Sequence, residues 1–233
     1  MVENQLLAHW LEYGYCIVDN SASDISNIAN LFENEYISKF TNQENFNRNL
    51  LKCFVNEPLV KKLFLEKILH ETLRNLQIEH PIFTGPIVSH YTSHNLTGKG
   101  FGLKLHQDWP SMATSDNGVI CWVSLSDINE NTHGITVIPG SHVNGCQPGE
   151  QTNSGYIVED NFKNKINLGI KKGSYLLMHP WLVHATYVNP ECKNFEFKLS
   201  ISARFDDFKC AQWANRSYRC AYTQIVDREM WAS

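Results

Sequence analysis

The apolar positions change their period near residue 80. Before that point they recur at helical spacing. Leu6, Leu7, Trp10 and Leu11 predict a helix over 5–15 with Gly14 as its stop, and Tyr15-Cys16-Ile17-Val18 predicts a short strand. Ser21 to Ser23 can cap a helix running to about Phe40, with Ile25, Ile28, Leu31 and Phe32 on one face. The Asn-rich stretch 41–50 reads as a polar loop. Asn56-Glu57-Pro58 opens a further helix, with Asn as cap and Pro in the first turn. It carries Leu59, Leu63, Phe64, Ile68 and Leu69 on one face and ends near Leu76. These helices carry no evident chemistry and are expected to pack on the outside of a sheet.

From about Ile82 the pattern becomes short β segments separated by turn residues, at 82–91, 103–108, 118–125, 135–138, 174–178, 182–188 and 195–205. Gly98, Gly100 and Gly102 predict a mobile approach loop. Asp127 to His133 reads as a polar loop, and Pro139-Gly140-Ser141-His142 as a turn followed by a polar stretch through Asn164. Helices first and many short strands afterwards predict a mainly β fold with flanking α-helices, a β-sandwich or jelly roll. With no repeat, low-complexity tract or linker, residues 1–233 read as one domain, helices of about 1–80 packing on a β core of about 82–208.

Within that β region, Leu105-His106-Gln107-Asp108-Trp109-Pro110 puts an imidazole and a carboxylate two residues apart. On an extended strand, positions i and i+2 share a face, so one short segment can offer a metal one nitrogen and one oxygen. The bare pair also fits a surface histidine hydrogen-bonded to an acid. Its apolar flanks (Leu103, Leu105, Trp109) and the core-like strand Val119-Ile120-Cys121-Trp122-Val123 favour the ligand reading. The third ligand expected is His184, in the apolar run Leu182-Val183-His184-Ala185-Thr186, where a core histidine is the alternative. Two histidines and a carboxylate on one side of a metal make the non-haem Fe(II) facial triad, which leaves positions open for oxygen and substrate.

The last predicted strand alternates Phe197, Leu199, Ile201 and Ala203 with Lys198, Ser200, Ser202 and Arg204. One face is expected under the helices and the other along a cavity. Taking Pro190 to Lys193 as a hairpin turn places position 184 opposite about 199, which sets Lys198 close to the metal. Arg204 then lies roughly 20 Å further along at strand rise. A small dicarboxylic cosubstrate chelating the metal is expected to reach Lys198 but not Arg204. The alternative is that both are ordinary solvated cations. His90-Tyr91-Thr92-Ser93-His94 has the H-x3-H spacing that binds zinc from a helix, but extended flanks deprive that spacing of its geometry. His142 and His179 read as structural, with contact to the site or substrate as the alternative.

Composition narrows the partners. Lys plus Arg number 20 against 24 Asp plus Glu, a net charge of -4, with no basic run. That argues against nucleic acid and anionic membrane surfaces. No apolar run approaches the ~20 residues of a membrane helix, and Met1-Val2-Glu3-Asn4-Gln5 does not start like a signal peptide. The seven cysteines are scattered and odd in number, which fits reduced thiols in a cytoplasm.

Taken together, His106-Gln107-Asp108-Trp109, the Trp122 strand, Gly134-Ile135-Thr136-Val137-Ile138-Pro139-Gly140-Ser141-His142, Gly173-Ser174-Tyr175-Leu176-Leu177, and His184 with Asn189 resemble the phytanoyl-CoA dioxygenase family, in order from about residue 85 to 208. The resemblance implies a double-stranded β-helix (jelly roll, cupin-like), Fe(II) as cofactor, 2-oxoglutarate as cosubstrate, O2 as co-reactant and a hydroxylated small-molecule product. It implies His106, Asp108 and His184 as iron ligands, and Gln107 and Trp122 as residues near the cosubstrate. Members usually grip the distal carboxylate of 2-oxoglutarate with an arginine on the last strand, a position that aligns here with Lys198. Lysine supplies charge without the planar bidentate fork. That departure leaves three alternatives open: weakened 2-oxoglutarate binding, a metal protein of the same fold that uses another cosubstrate, or a catalytically silent one. Arg204 can take the cosubstrate-binding role only if the strand register differs from the hairpin estimate. Segments 93–102, 110–117 and 143–165 are the expected lid and substrate elements, and their Asn, Ser, Thr and Gln content favours a polar substrate.

Overall fold

Alternation with period two sorts the β region into two faces, and each face has its own core. The computed structural model describes residues 3–19, 23–36, 48–92, 102–112, 114–152, 155–189, 191–192 and 198–211. The N-terminal part contains α1 (Glu3–Tyr13), β1 (Tyr15–Val18), α2 (Ser23–Leu31) with a π-helical turn at Phe32–Tyr36, α3 (Arg48–Val55), α4 (Pro58–Leu63) and α5 (Lys67–Asn75). The strands follow as β2 (Pro81–Phe83), β3 (Val88–Thr92) and β4 (His106–Gln107). After the short helix α6 (Trp109–Met112) come β5 (Val119–Ser124), β6 (His133–Val137), β7 (Gly149–Thr152), β8 (Gly155–Val158), β9 (Ile166–Leu168), β10 (Tyr175–Met178), β11 (His184–Val188) and β12 (Lys198–Asp207).

They form two six-stranded antiparallel sheets, a jelly roll as expected. The first has the order β1-β10-β5-β12-β2, with β3 also paired to β12; the second has the order β7-β8-β4-β11-β6-β9. On β5, β10 and β12 the residues Val119, Cys121, Val123, Tyr175, Leu177, Leu199, Ile201, Ala203 and Phe205 pack with Trp10, Ile28, Phe32, Phe54, Leu63 and Leu73 of the helices. The intervening Ile120, Trp122, Leu176 and Met178 pack with Ile135, Val137 and Leu168 of the second sheet. Strand β5 is buried at every position because both its faces are covered, hence its nearly unbroken apolar run. Each large side chain so buried contributes about 1.5–3 kcal/mol.

Several local expectations change. The single helix over 56–76 is two, α4 and α5. Asn56 does not cap α4, whose N-cap is Glu57. It closes α3 instead, its side-chain amide donating to the Lys52 carbonyl at 2.8 Å. Residues 48–50 belong to α3 and not to a loop, and the polar stretch after His142 contains the β7–β8 hairpin. Gly14 ends α1 as expected, at φ +77°, and a Cβ there would lie 2.4 Å from His142 Nδ1. The Gly-rich approach loop, apart from Gly102, lies outside the described residues.

Among the described residues, β11 and β12 do not form the expected hairpin. Strand β11 pairs with β4 and β6, whereas β12 pairs with β2, β3 and β5 in the other sheet. Chain neighbours in a jelly roll can cross between sheets, so a short connection does not imply a ladder.

Near its end, β12 is tied to the 114–118 turn by Asp206, which is fully buried. Its carboxylate accepts the Ser115 amide at 2.8 Å, the Ser115 hydroxyl, and the Asp207 amide at 2.8 Å. Asp206→Ala strands these donors and is expected to lower the unfolding free energy by about 2–4 kcal/mol. Urea denaturation checks this, and a loss under about 1 kcal/mol would refute it.

Candidate metal centre

Backbone pairing alone brings the first two candidate ligands together. His106 on β4 and His184 on β11 are directly opposed across the antiparallel ladder. Their side chains share a face, with ring centroids 4.1 Å apart. Asp108, two residues beyond His106, returns to that face, with Oδ1 3.5 Å from His106 Nε2. One ligand atom from each of His106, Asp108 and His184 lies within 4.8 Å of the others.

The donor set suits a divalent metal. His106 Nδ1 donates to the Lys104 carbonyl at 2.8 Å, and His184 Nδ1 to the Leu182 carbonyl at 3.0 Å. Since a carbonyl only accepts, both Nδ1 atoms carry the proton and both Nε2 lone pairs are left for a cation. Burial and the neighbouring His106 push His184 down to about 4, so it is neutral at ordinary pH. Burial alone would raise Asp108. Against that, the Arg204 guanidinium 3.3 Å away favours the charged form, and the carboxyl lies well below the usual carboxylate range.

The triad opens on a cavity of about 160 Å³ between the sheets, also lined by His90, Ile120, Trp122, Ile135, Met178, Lys198, Ser202 and Arg204. This is small against the roughly 300–1,000 Å³ of common ligand pockets. On β12, Lys198, Ser202 and Arg204 face the cavity while Leu199, Ile201 and Ala203 face the helices, the division that alternation predicts. Lys198 is buried, and its ammonium donates to the Gly134 carbonyl at 2.9 Å. Burial pushes it down to about 8.

A model of the phytanoyl-CoA dioxygenase (PhyH) family matches residues 10–190. The chain belongs to the phytanoyl-CoA dioxygenase family. It is 30% identical over 117 residues to the peroxisomal phytanoyl-CoA dioxygenase of Bos taurus, covering 46% of this chain and 34% of that protein. It is 28% identical over 167 residues to the Homo sapiens protein, covering 64% and 47%. The chain thus spans between a third and a half of these curated relatives. Among solved structures, the epimerase SnoN in complex with Fe3+, alpha ketoglutarate and nogalamycin RO is similar, with a TM-score of 0.63, 14% identity and coverage of 88% of this chain and 83% of that one. At that identity the likeness concerns the fold.

The family match ends before β12, so Lys198 and Arg204 rest on geometry alone. Arg204 corrects the expected register. It is not remote from the triad, because Nη2 lies 3.3 Å from Asp108 Oδ2. The metal face lies across the cavity from β12 and not beside Leu199, which brings it within reach of the Arg204 end. Gln107 also departs from its family role. Its alternation with His106 and Asp108 turns it away from the cavity, where its amide donates to the Gly145 and Trp181 carbonyls at 2.9 and 2.6 Å and accepts the Gln147 amide at 2.9 Å. It ties the start of the 145–149 segment to β4. Trp122 does line the cavity.

His90 is the residue that spacing arguments missed. His94 lies outside the described residues. His90 Nε2 lies 3.0 Å from Ser202 Oγ, and burial with the Arg204 and Lys198 charges pushes the imidazole down to about 3. Alternation along Val88-Ser89-His90 was the available signal. His142 and His179 stay outside the cavity, at 3.2 Å from the Leu11 carbonyl and 3.1 Å from the Asp116 carbonyl.

Proposed function

We propose that this chain is a non-haem Fe(II)- and 2-oxoglutarate-dependent dioxygenase that hydroxylates a small, polar metabolite. The observation that carries this reading is the two Nε2 atoms and one carboxylate oxygen converging on a cavity that also holds Lys198. His106, Asp108 and His184 would hold Fe(II), which supplies the oxidising chemistry with O2 and the keto acid when bound. The chain's own part is to keep both imidazoles in the Nε2-ligating form, to hold the keto acid and to limit water.

Lys198 is the proposed anchor for the distal carboxylate of 2-oxoglutarate. Its partner Gly134 is in register with Tyr187, three strand positions from His184, roughly 10 Å away. A metal–oxygen contact, a five-carbon chain and a hydrogen bond together reach about 10 Å. Arg204 touches a metal ligand, so it stands too near the metal to take the far end of an extended keto acid.

The test is anaerobic. Fe(II) is added to metal-free protein, 2-oxoglutarate is titrated, and the visible charge-transfer band of the chelated keto acid is followed. A saturable band is expected. Fe(II) uptake with no band at any 2-oxoglutarate concentration would remove this reading.

A further inference from the structure

The Asp108 carboxylate is divided between two claims. Oδ1 faces the His106 imidazole at 3.5 Å, and Oδ2 takes a hydrogen bond from Arg204 Nη2 at 3.3 Å. The side chains of Arg204 and Asp108 are only 11% and 15% exposed, so this is no solvated surface pair. Arg204 is itself held in place. Its Nη1 donates to Ser202 Oγ at 2.8 Å, and with that oxygen accepting, the Ser202 hydroxyl proton is directed to His90 Nε2 at 3.0 Å. The relay runs from β3 through β12 to the segment after β4, from one sheet to the other.

We propose that Arg204 is a positioning residue that sets how Asp108 meets the metal: by holding Oδ2 it leaves Oδ1 alone to bind, and a coordination position stays open for the keto acid. Ser202 and His90 fix the guanidinium for this task. The inference rests on the proposed metal and cosubstrate. Its physical content is a trade between two affinities. A fixed cation beside the ligand carboxylate repels a divalent metal, so Arg204 weakens metal binding. A carboxylate released from Arg204 can turn both oxygens onto the metal, tightening metal binding while occupying a place the chelating keto acid needs. An ordinary supporting ion pair predicts the opposite for the metal, because its loss would loosen Asp108 and weaken metal binding.

The test uses the full chain with Co(II) as the metal probe, followed by visible absorption, and 2-oxoglutarate as the second ligand. Arg204→Gln keeps hydrogen bonding and removes the charge. It is expected to bind Co(II) about threefold more tightly and 2-oxoglutarate about tenfold more weakly than wild type. Ser202→Ala is expected to shift both in the same directions by about twofold, and it decides the matter if Arg204→Gln does not fold. Weaker Co(II) binding in the variants, or 2-oxoglutarate affinity equal to wild type, would overturn the proposal. If wild-type protein takes up Co(II) but no 2-oxoglutarate, the proposed function fails, and the Co(II) comparison alone then decides the role of Arg204.

Discussion

His106→Ala is expected to lower Fe(II) affinity by more than about 100-fold and to abolish both the keto-acid band and succinate formation. The substitution removes one of the three proposed ligands and leaves Asp108 and His184, too few to hold a divalent ion tightly in competition with water. Removing the ligand also leaves Asp108 paired to Arg204 alone, so its carboxylate has less reason to face the site. The fold should survive. His106 contributes its backbone to the β4–β11 and β4–β8 ladders whatever its side chain, and its Nδ1 hydrogen bond goes to Lys104, only two residues away. Anaerobic Fe(II) titration checks the affinity, and circular dichroism checks the fold. A folded variant with a wild-type band would mean that the metal sits elsewhere.

Lys198→Ala should raise the 2-oxoglutarate concentration for half-saturation by about 10- to 100-fold and leave Fe(II) affinity unchanged. A charge-assisted hydrogen bond is worth about 1.5–3 kcal/mol, and each 1.4 kcal/mol is tenfold. The pH dependence gives an independent check. Burial pushes Lys198 down to about 8, so the ammonium is present below that pH and is lost above it. Wild-type 2-oxoglutarate affinity should therefore weaken between pH 7 and pH 9, with its turning point near 8 in the keto-acid-free protein. Lys198→Arg keeps its charge throughout that range and should flatten the profile. If both variants bind 2-oxoglutarate as wild type does, the anchor is a different residue.

Much of this layout was legible along the chain. Alternation from Phe197 to Arg204 separated the helix-facing residues of β12 from the cavity-facing ones, because a strand's period of two is a local property that no partner can alter. The His106–Asp108 spacing marked a common face for the same reason. The limits lay where a strand's neighbour mattered. Placing β12 beside β11 put Arg204 out of reach of the triad, whereas β12 belongs to the opposite sheet and Arg204 touches Asp108. Gln107 looked like a cosubstrate contact by family position, but parity turned it to the backbone of the 145–149 segment and Trp181.

By itself, then, the sequence determined the helix-then-strand order, the two-faced strands and the identity of the candidate ligands, all of which follow from periodicity and side-chain chemistry. Only the tertiary structure decided that His184 lies opposite His106, that Arg204 and Lys198 line one cavity, and that His90 reaches Arg204 through Ser202. Those relations depend on which distant strands pair and in what register. Burial of whole faces sets that outcome, and no single segment carries the information alone.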